Sequence, residues 1–345
     1  MTVFALSSEW TAPDVSALQE ALSLNPFVGC GPTAEKAAGW VAPRGVEDDA
    51  LLEVRPEHWL LRLAVERKSV PSSMVNAEVK RMQLEWEQQT GAPMSRKQVR
   101  ELKGEALLNL LPKAFPKRSE ALVWIDLAKR RVVLDCTSGP LVDEVLVQLG
   151  DALVNVGSVL AAAPLQPVQP VDERMATWLS EQNFPEDFSP DAYLELRSGG
   201  EDLASVRYSR HDLEIDEVVE HIRQGKRVLE LGVVWQDRVA FHLCADLSLK
   251  KVELLNDVFV DGEDSFDADW LLYREELGAM LNALEEVLGH RTESGATDDT
   301  PENDAPKRLT PRGGHDASAA LDSTLPHSPG FAGGPQLASH NRGTA

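Results

Sequence analysis

The densest cluster of side chains able to do chemistry is acidic: Asp261, Glu263, Asp264, Asp267 and Asp269 fall within nine residues. Carboxylates at that density can hold a divalent ion of the kind a nuclease uses. Their spacing is not that of a calcium loop, however, and Asp267 stands where a cap is expected for the helix that follows. The histidines His58, His221 and His242 are scattered singly and read as core or surface residues. Cys30, Cys136 and Cys244 are far apart and form no C-x-x-C pair, which fits reduced structural thiols in a cytosolic protein. There is no P-loop, no G-x-G-x-x-G after a strand, no nucleophile elbow and no H-E-x-x-H. The expectation is a protein that is not an enzyme and needs no cofactor or metal.

Cations carry the stronger signal, because of where they sit. The chain holds 34 basic and 56 acidic residues, a net charge of −22. Between positions 62 and 131, fifteen bases face eight acids, a local net of +7. Residues 292–345 contribute −3, so the remainder of the body carries −26. A concentrated basic segment on an acidic frame can hold a polyanion on one surface and repel it from the others. The plainer alternative is a solvated helical pair with ordinary surface lysines.

The elements that must carry these side chains follow from periodicity. A length of 345 residues suits about two domains or one elongated, multi-lobed body, and 43% hydrophobic with 26% charged residues is a globular balance. No apolar run reaches the roughly 18 residues of a membrane span, and no secretion signal is evident. Strands are expected at residues 2–6 and 59–65, with a helix at 14–24 between them. A glycine- and proline-rich loop follows that helix, anchored by Phe27 and Trp40. From Pro71, Val75, Val79, Met82 and Trp86 repeat on one helical face; Ser95 and Gln98 then make a capping box ahead of Val99, Leu102, Ala106 and Leu110. These two stripes should pack as an antiparallel hairpin, closed by Pro112 and Pro116, with its basic side chains outside.

Strands at 121–126 and 131–135 and a helix to about 153 come next, then a proline-containing connector at 164–170. Beyond it a helix forms near Trp178, strands at 193–197 and 205–208, and a helix over 212–224 with Ile215, Val219 and Ile222 inward and Gly225 at its cap. Strands at 228–235, 238–244 and 251–255 precede a long final helix led by Asp267, with Trp270, Tyr273, Leu277, Leu281, Leu284 and Leu288 on one face. Short strand-to-strand links predict an α+β fold with largely antiparallel sheets and no internal repeat. Residues 292–345 are poor in large apolar groups and are expected to be disordered.

One stretch is more specific than any motif above. Glu66, Lys68, Pro71, Ser72 and Val75, then Leu110-Leu111-Pro112-Lys113-Ala114-Phe115, Ser119 and Trp124-Ile125-Asp126, closely resemble the RdgC family of bacterial recombination-associated DNA-binding proteins. Phe27, Cys30-Gly31, Gly39-Trp40-Val41 and Pro43 are similar to the family's N-terminal loop. Asp135-Cys136, Asp216-Glu217, His221-Ile222, Gly225-Lys226 and Phe266-Asp267-Ala268-Asp269 follow in its order, so the likeness covers about residues 1 to 290. It implies a horseshoe-shaped subunit with a centre (1–70 and 119–165), a basic helical tip (71–118) and a base (166–291), followed by the tail (292–345). Two copies would close into a ring around double-stranded DNA, bound without sequence preference, with single-stranded DNA a further ligand. By the same resemblance such a homodimer would restrain RecA-driven recombination and be associated with the cytoplasmic nucleoid.

By that resemblance the DNA-binding residues are Arg207, Arg210 and His211, with Arg118, Lys113, Lys117, Arg96 and Lys97 at the tip, and Phe115 is the dimer gate that inserts into the opposite subunit. The alternatives from other classes are an acidic regulator that touches the recombinase directly, and a metal-dependent nuclease built on Asp261 to Asp269. The tail's composition generates a first prediction: deleting residues 292–345 should leave the melting temperature and duplex affinity nearly unchanged. A fall of several degrees in a thermal melt would show that the tail docks.

Overall fold

A computed structural model describes residues 1–45, 48–199, 203–211, 213, 216–255 and 265–289. The expected disordered tail and the acids Asp261, Glu263 and Asp264 lie outside the described residues. The centre of the first sheet is a long hairpin of β4 (His58–Lys68) and β5 (Pro116–Asp126), paired without a slip from His58 opposite Asp126 to Lys68 opposite Pro116. Around it lie β1 (Thr2–Leu6), β2 (Lys36–Val41), β3 (Glu53–Arg55), β6 (Arg131–Leu134) and β7 (Ala162–Pro164). The order is β2-β4-β5-β6-β1-β7 with β3 also on β4, and every pairing is antiparallel. Alternation along the strands divides the side chains between two cores. Leu61, Leu63, Val123, Ile125, Val132 and Leu134 pack under α1 (Val15–Leu22) and, further along the chain, the helix at Gly139–Asn155. Leu60, Trp124 and Val133 point the other way. Asp14, expected as the first residue of the helix, stands just ahead of α1 and caps it by accepting from the Ala17 N–H.

Between β4 and β5 the chain makes α2 (Ser72–Thr90) and α3 (Arg96–Leu110); the helix at Gly139–Asn155 is α4. The second half adds α5 (Val171–Glu181), β8 (Phe188–Ser198), β9 (Ser205–Ser209), α6 (Asp216–Arg223), β10 (Lys226–Trp235), β11 (Val239–Cys244), β12 (Leu249–Leu254) and α7 (Ser265–Leu288). Its five strands run β12-β11-β10-β8-β9, again antiparallel. Leu194, Leu196, Val228, Phe241 and Leu243 from these strands meet Met175 and Trp178 of α5, Val218 of α6 and Leu277, Leu281, Leu284 and Leu288 of α7. The α+β class with antiparallel sheets is as the sequence predicts.

Helix α7 joins the two halves, and Arg131 is the fastening. Only 2% exposed, its guanidinium bonds Asp126 at 3.1 Å and Glu285 of α7 at 3.1 Å, donates to the Gly278 carbonyl at 3.3 Å, and lies 5.7 Å from the Trp124 ring. Trp124 in turn meets Trp270 edge-on at 5.7 Å. At the other end of α7, Asp267 corrects an expectation. The helix already includes Ser265, so Asp267 sits inside its first turn and does not cap it; its carboxylate accepts from Arg44 at 2.5 Å and Arg55 at 2.7 Å.

Two other expectations are revised. The glycine-rich loop after α1 contains β2, whose small residues Ala37, Ala38 and Gly39 hide a strand pattern. On α6 the fully buried residue is Val218, while Val219 and Ile222 are half-buried, Ile222 against the core; Ile215 lies outside the described residues. The seam generates a second prediction. Arg131→Met should lower stability in urea unfolding by about 3–5 kcal/mol, since it strands the buried Asp126 carboxylate, and adding Asp126→Asn should recover part of the loss. A cost under about 1 kcal/mol for the single variant would contradict this role.

Candidate nucleic-acid interface

The α2–α3 hairpin forms as the two stripes predict, except that Trp86, expected inward, is exposed and stands outside its core. Gly91 turns the chain out of α2 at φ +69, and Ser95 with Gln98 closes the capping box of α3 in both directions. Its own core is small: Val79, Leu102 and Ala106 are buried, with Val75, Met82, Met94 and Val99 around them. Charged residues occupy the outside. Arg96, Arg100 and Lys103, spaced i, i+4 and i+7, share one flank of α3 and are exposed. Lys97 lies on another flank, 4.0 Å from Glu101. Arg81 is less available, because Glu78 at 2.6 Å and Glu85 both hold it on its own helix, and its hydrogen bonds keep the Glu78 carboxyl below the usual range.

The hairpin ends in a 3-10 turn, Leu111–Lys113, and Pro116 opens β5. Leu111 is fully buried, whereas Phe115, held between Pro112 and Pro116, is 93% exposed with Lys113 and Lys117 exposed beside it. Phe115 therefore does not pack beneath Leu111. Arg118 belongs to strand β5 and not to the helical tip: it stands opposite Glu66, pairs with Glu120 at 2.8 Å and lies 4.6 Å over the Phe27 ring. Phe27 reaches that position because Gly39 has no side chain; a Cβ there would come within 2.6 Å of the Phe27 backbone.

Arg207, Arg210 and His211 sit at the end of β9, far from the hairpin in sequence. Arg207 is exposed and bonds Glu195 on the adjacent strand at 2.8 Å. Arg210 takes φ +57 and donates its N–H to the Ala192 carbonyl at 2.7 Å, while the His211 ring lies 6.0 Å from Tyr208. Glu195 is twelve residues away in sequence and is brought close by the pairing of β8 with β9.

The other candidates have structural employment. Trp124 donates to His58 Nδ1 at 3.2 Å, and burial holds that imidazole below its usual pKa. His242 pairs with Glu230 at 2.7 Å, and His221 with Lys226 at 2.7 Å. All three cysteines are free; burial, reinforced by Asp135, pushes the Cys136 thiol up to about 11, so it is protonated at neutral pH. Among the described residues no three His, Cys, Asp or Glu side chains are grouped to hold a metal ion, and no helix is long and apolar enough to cross a membrane.

Fold and site together define a class: an α+β protein of two antiparallel sheets whose helical hairpin presents exposed cations, with the ring of Phe115 bare at its end. The chain belongs to the RdgC family, whose model, described as "Putative exonuclease, RdgC", matches residues 1–291. It is 33% identical over 299 residues to Recombination-associated protein RdgC of Dechloromonas aromatica, covering 84% of this chain and 96% of the relative. The proteins of the same name from Cupriavidus pinatubonensis and a Janthinobacterium species are each 35% identical, over 290 and 303 residues; these cover 82% and 85% of this chain and 95% and 98% of the relatives. The exposure of Phe115 generates a third prediction. Phe115→Ala should shift the stability of the isolated subunit by less than about 0.5 kcal/mol, whereas Leu111→Ala should cost about 2–5 kcal/mol. Thermal melting at low protein concentration checks this, and equal losses would contradict it.

Proposed function

We propose that this protein binds double-stranded DNA without sequence preference, as a homodimer that closes around the duplex, and that by occupying the duplex it restrains RecA-driven recombination. The observation that carries the reading is Phe115, 93% exposed at the end of a cationic hairpin. A large apolar ring left bare among Lys113, Lys117 and the basic flank of α3 calls for a partner surface, and two-fold symmetry makes one subunit's ring available to the other. Burying one phenylalanine is worth roughly 1.5–3 kcal/mol and a symmetric pair roughly 3–6, enough to hold a gate shut and still let it open. The recombination-associated name of the relatives and the family resemblance support the same reading.

The DNA contacts would be to phosphates, from Arg96, Lys97, Lys113, Lys117 and Arg118 on the hairpin side and Arg207, Arg210 and His211 on the other sheet. Contacts of that kind position a protein on DNA without reading sequence. In this reading the protein works by occupancy and not by cutting, so incubation with magnesium or manganese should leave labelled duplex intact. The net charge of −22 favours one competing reading, an acidic surface that engages the recombinase directly; it requires recombinase binding with no DNA present.

The fourth prediction concerns topology. The intact protein should stay on closed circular duplex through a high-salt wash and slide off the same DNA once it is linearised. Phe115→Ala should keep the monomer fold and initial binding but lose retention on the circle. Equal retention of variant and parent would remove the gate, and equal retention on circle and line would remove encirclement.

A further inference from the structure

The five-stranded sheet has one face with no helix on it among the described residues: the apolar contacts of α5, α6 and α7 all reach its other face. Strand β12 breaks alternation on that bare face. Leu249 and Val252 both turn to the core, yet the two residues between them, Lys250 and Lys251, are both exposed. The cause is a bulge. The register slips between Ala240 and His242 of β11, and Lys251 takes φ +48, a conformation that a residue with a side chain seldom adopts without reason. A regular strand would have driven Lys251 inward; the bulge sets two ammonium groups side by side.

Their surroundings are layered. Glu230 lies deep, accepting from Lys250 at 2.6 Å and meeting His242 Nδ1 at 2.7 Å. Tyr193 stacks on His242 at 4.2 Å, and the Lys251 ammonium lies 5.0 Å over the tyrosine ring. Toward the far edge Glu195 lies equally deep and pairs with both Arg207 and Arg197. The side chains of Glu195 and Glu230 are 14% and 10% exposed, and those of Arg207 and Lys250 are 63% and 45%. Among the described residues the bare face presents four exposed cations, Arg197, Arg207, Lys250 and Lys251, beside Arg227, which stands opposite Arg197 but turns to Asp172 of α5, against one exposed carboxylate, Glu253; Asp191 is half-buried and accepts from the Ala192 N–H. On a chain of net charge −22 this is a surface suited to phosphates. Four strand spacings, about 19 Å, separate the lysine pair on β12 from Arg207 on β9.

We propose that Lys250 and Lys251 contact the phosphate backbone of duplex DNA on the bare face of this sheet, continuing the line begun by Arg207. The assignment rests on the duplex-binding reading above. Glu230 and the largely covered Glu195 orient their cations from beneath, and Lys251, resting on a ring, has no bonded carboxylate among the described residues to give up for a phosphate.

The test uses the full chain and a short mixed-sequence duplex over a salt series. Losing one phosphate contact removes about 0.9 from the log–log salt slope, so the ratio of affinities at 50 and 200 mM salt should fall about 3.5-fold for Lys251→Gln and by about that factor again when Lys250→Gln is added. Glu253→Gln should tighten binding. Should Lys250→Gln lower the melting temperature by leaving Glu230 with His242 alone, Lys251→Gln decides the matter, since among the described residues no carboxylate is bonded to it. An unchanged slope for Lys251→Gln at the parent's melting temperature, with the parent still binding duplex steeply, overturns this assignment alone. Absence of duplex binding by the parent overturns the duplex reading and this assignment with it.

Discussion

A guanidinium buried on every side is the constraint on which the architecture turns. Arg131 reaches from the first sheet to Glu285 and the Gly278 carbonyl of α7, and it cannot be left without either set of partners. Such a group adds little net stability, because desolvation offsets most of its attraction. What it supplies is register: α7 has one position in which Glu285, the Gly278 carbonyl and Trp270 all meet the Arg131 and Trp124 pair. Helix α7 also covers the second sheet through Leu277, Leu281, Leu284 and Leu288, so fixing it fixes both sheets' faces. The proposed binding surfaces, the hairpin between β4 and β5 on one side and the bare face of the second sheet on the other, inherit their placement from that seam.

Charge is organised on the same principle. The protein is acidic overall, yet its exposed cations are not simply diluted among acids. At Arg81 the acids lie on the same helix and at the surface, so the cation is used up locally. At Arg207 and Lys250 the acids lie beneath, nearly buried, and the cations remain available to solvent. A pair of the first kind contributes helix stability of a few tenths of a kcal/mol. A pair of the second kind holds a long side chain in one place at the cost of part of its field, which suits contacts that position a polyanion.

Much of the fold was legible because periodicity and caps are local signals. The hairpin of α2 and α3, its capping box, the long α7 face and the strands of both sheets other than β2 and the three-residue β3 and β7 could be drawn from the sequence, and the run from Glu66 to Asp126 resembled the family to which the chain belongs. What escaped was non-local or conformational. Strand β2 was hidden in a loop by its alanines and glycine. Arg118 looked like part of the helical tip until pairing with Glu66 put it on a strand. The acid beside Arg207 lay twelve residues back, across a strand pair, and not among its neighbours in sequence. Asp267 had the identity of a cap but the position of an ion-pair partner. The bulge at Lys251 leaves only a weak trace, two lysines between two inward apolar residues, and nothing in a single sequence separates that from an edge strand of ordinary polarity.

The most direct test of the whole account is the salt dependence of duplex affinity for the intact protein, measured on two unrelated sequences. The account predicts a straight log–log plot with a steep negative slope, about 0.9 for each of several phosphate contacts, and the same line for both sequences. A flat plot would contradict it and leave the protein's acidity as the property to explain.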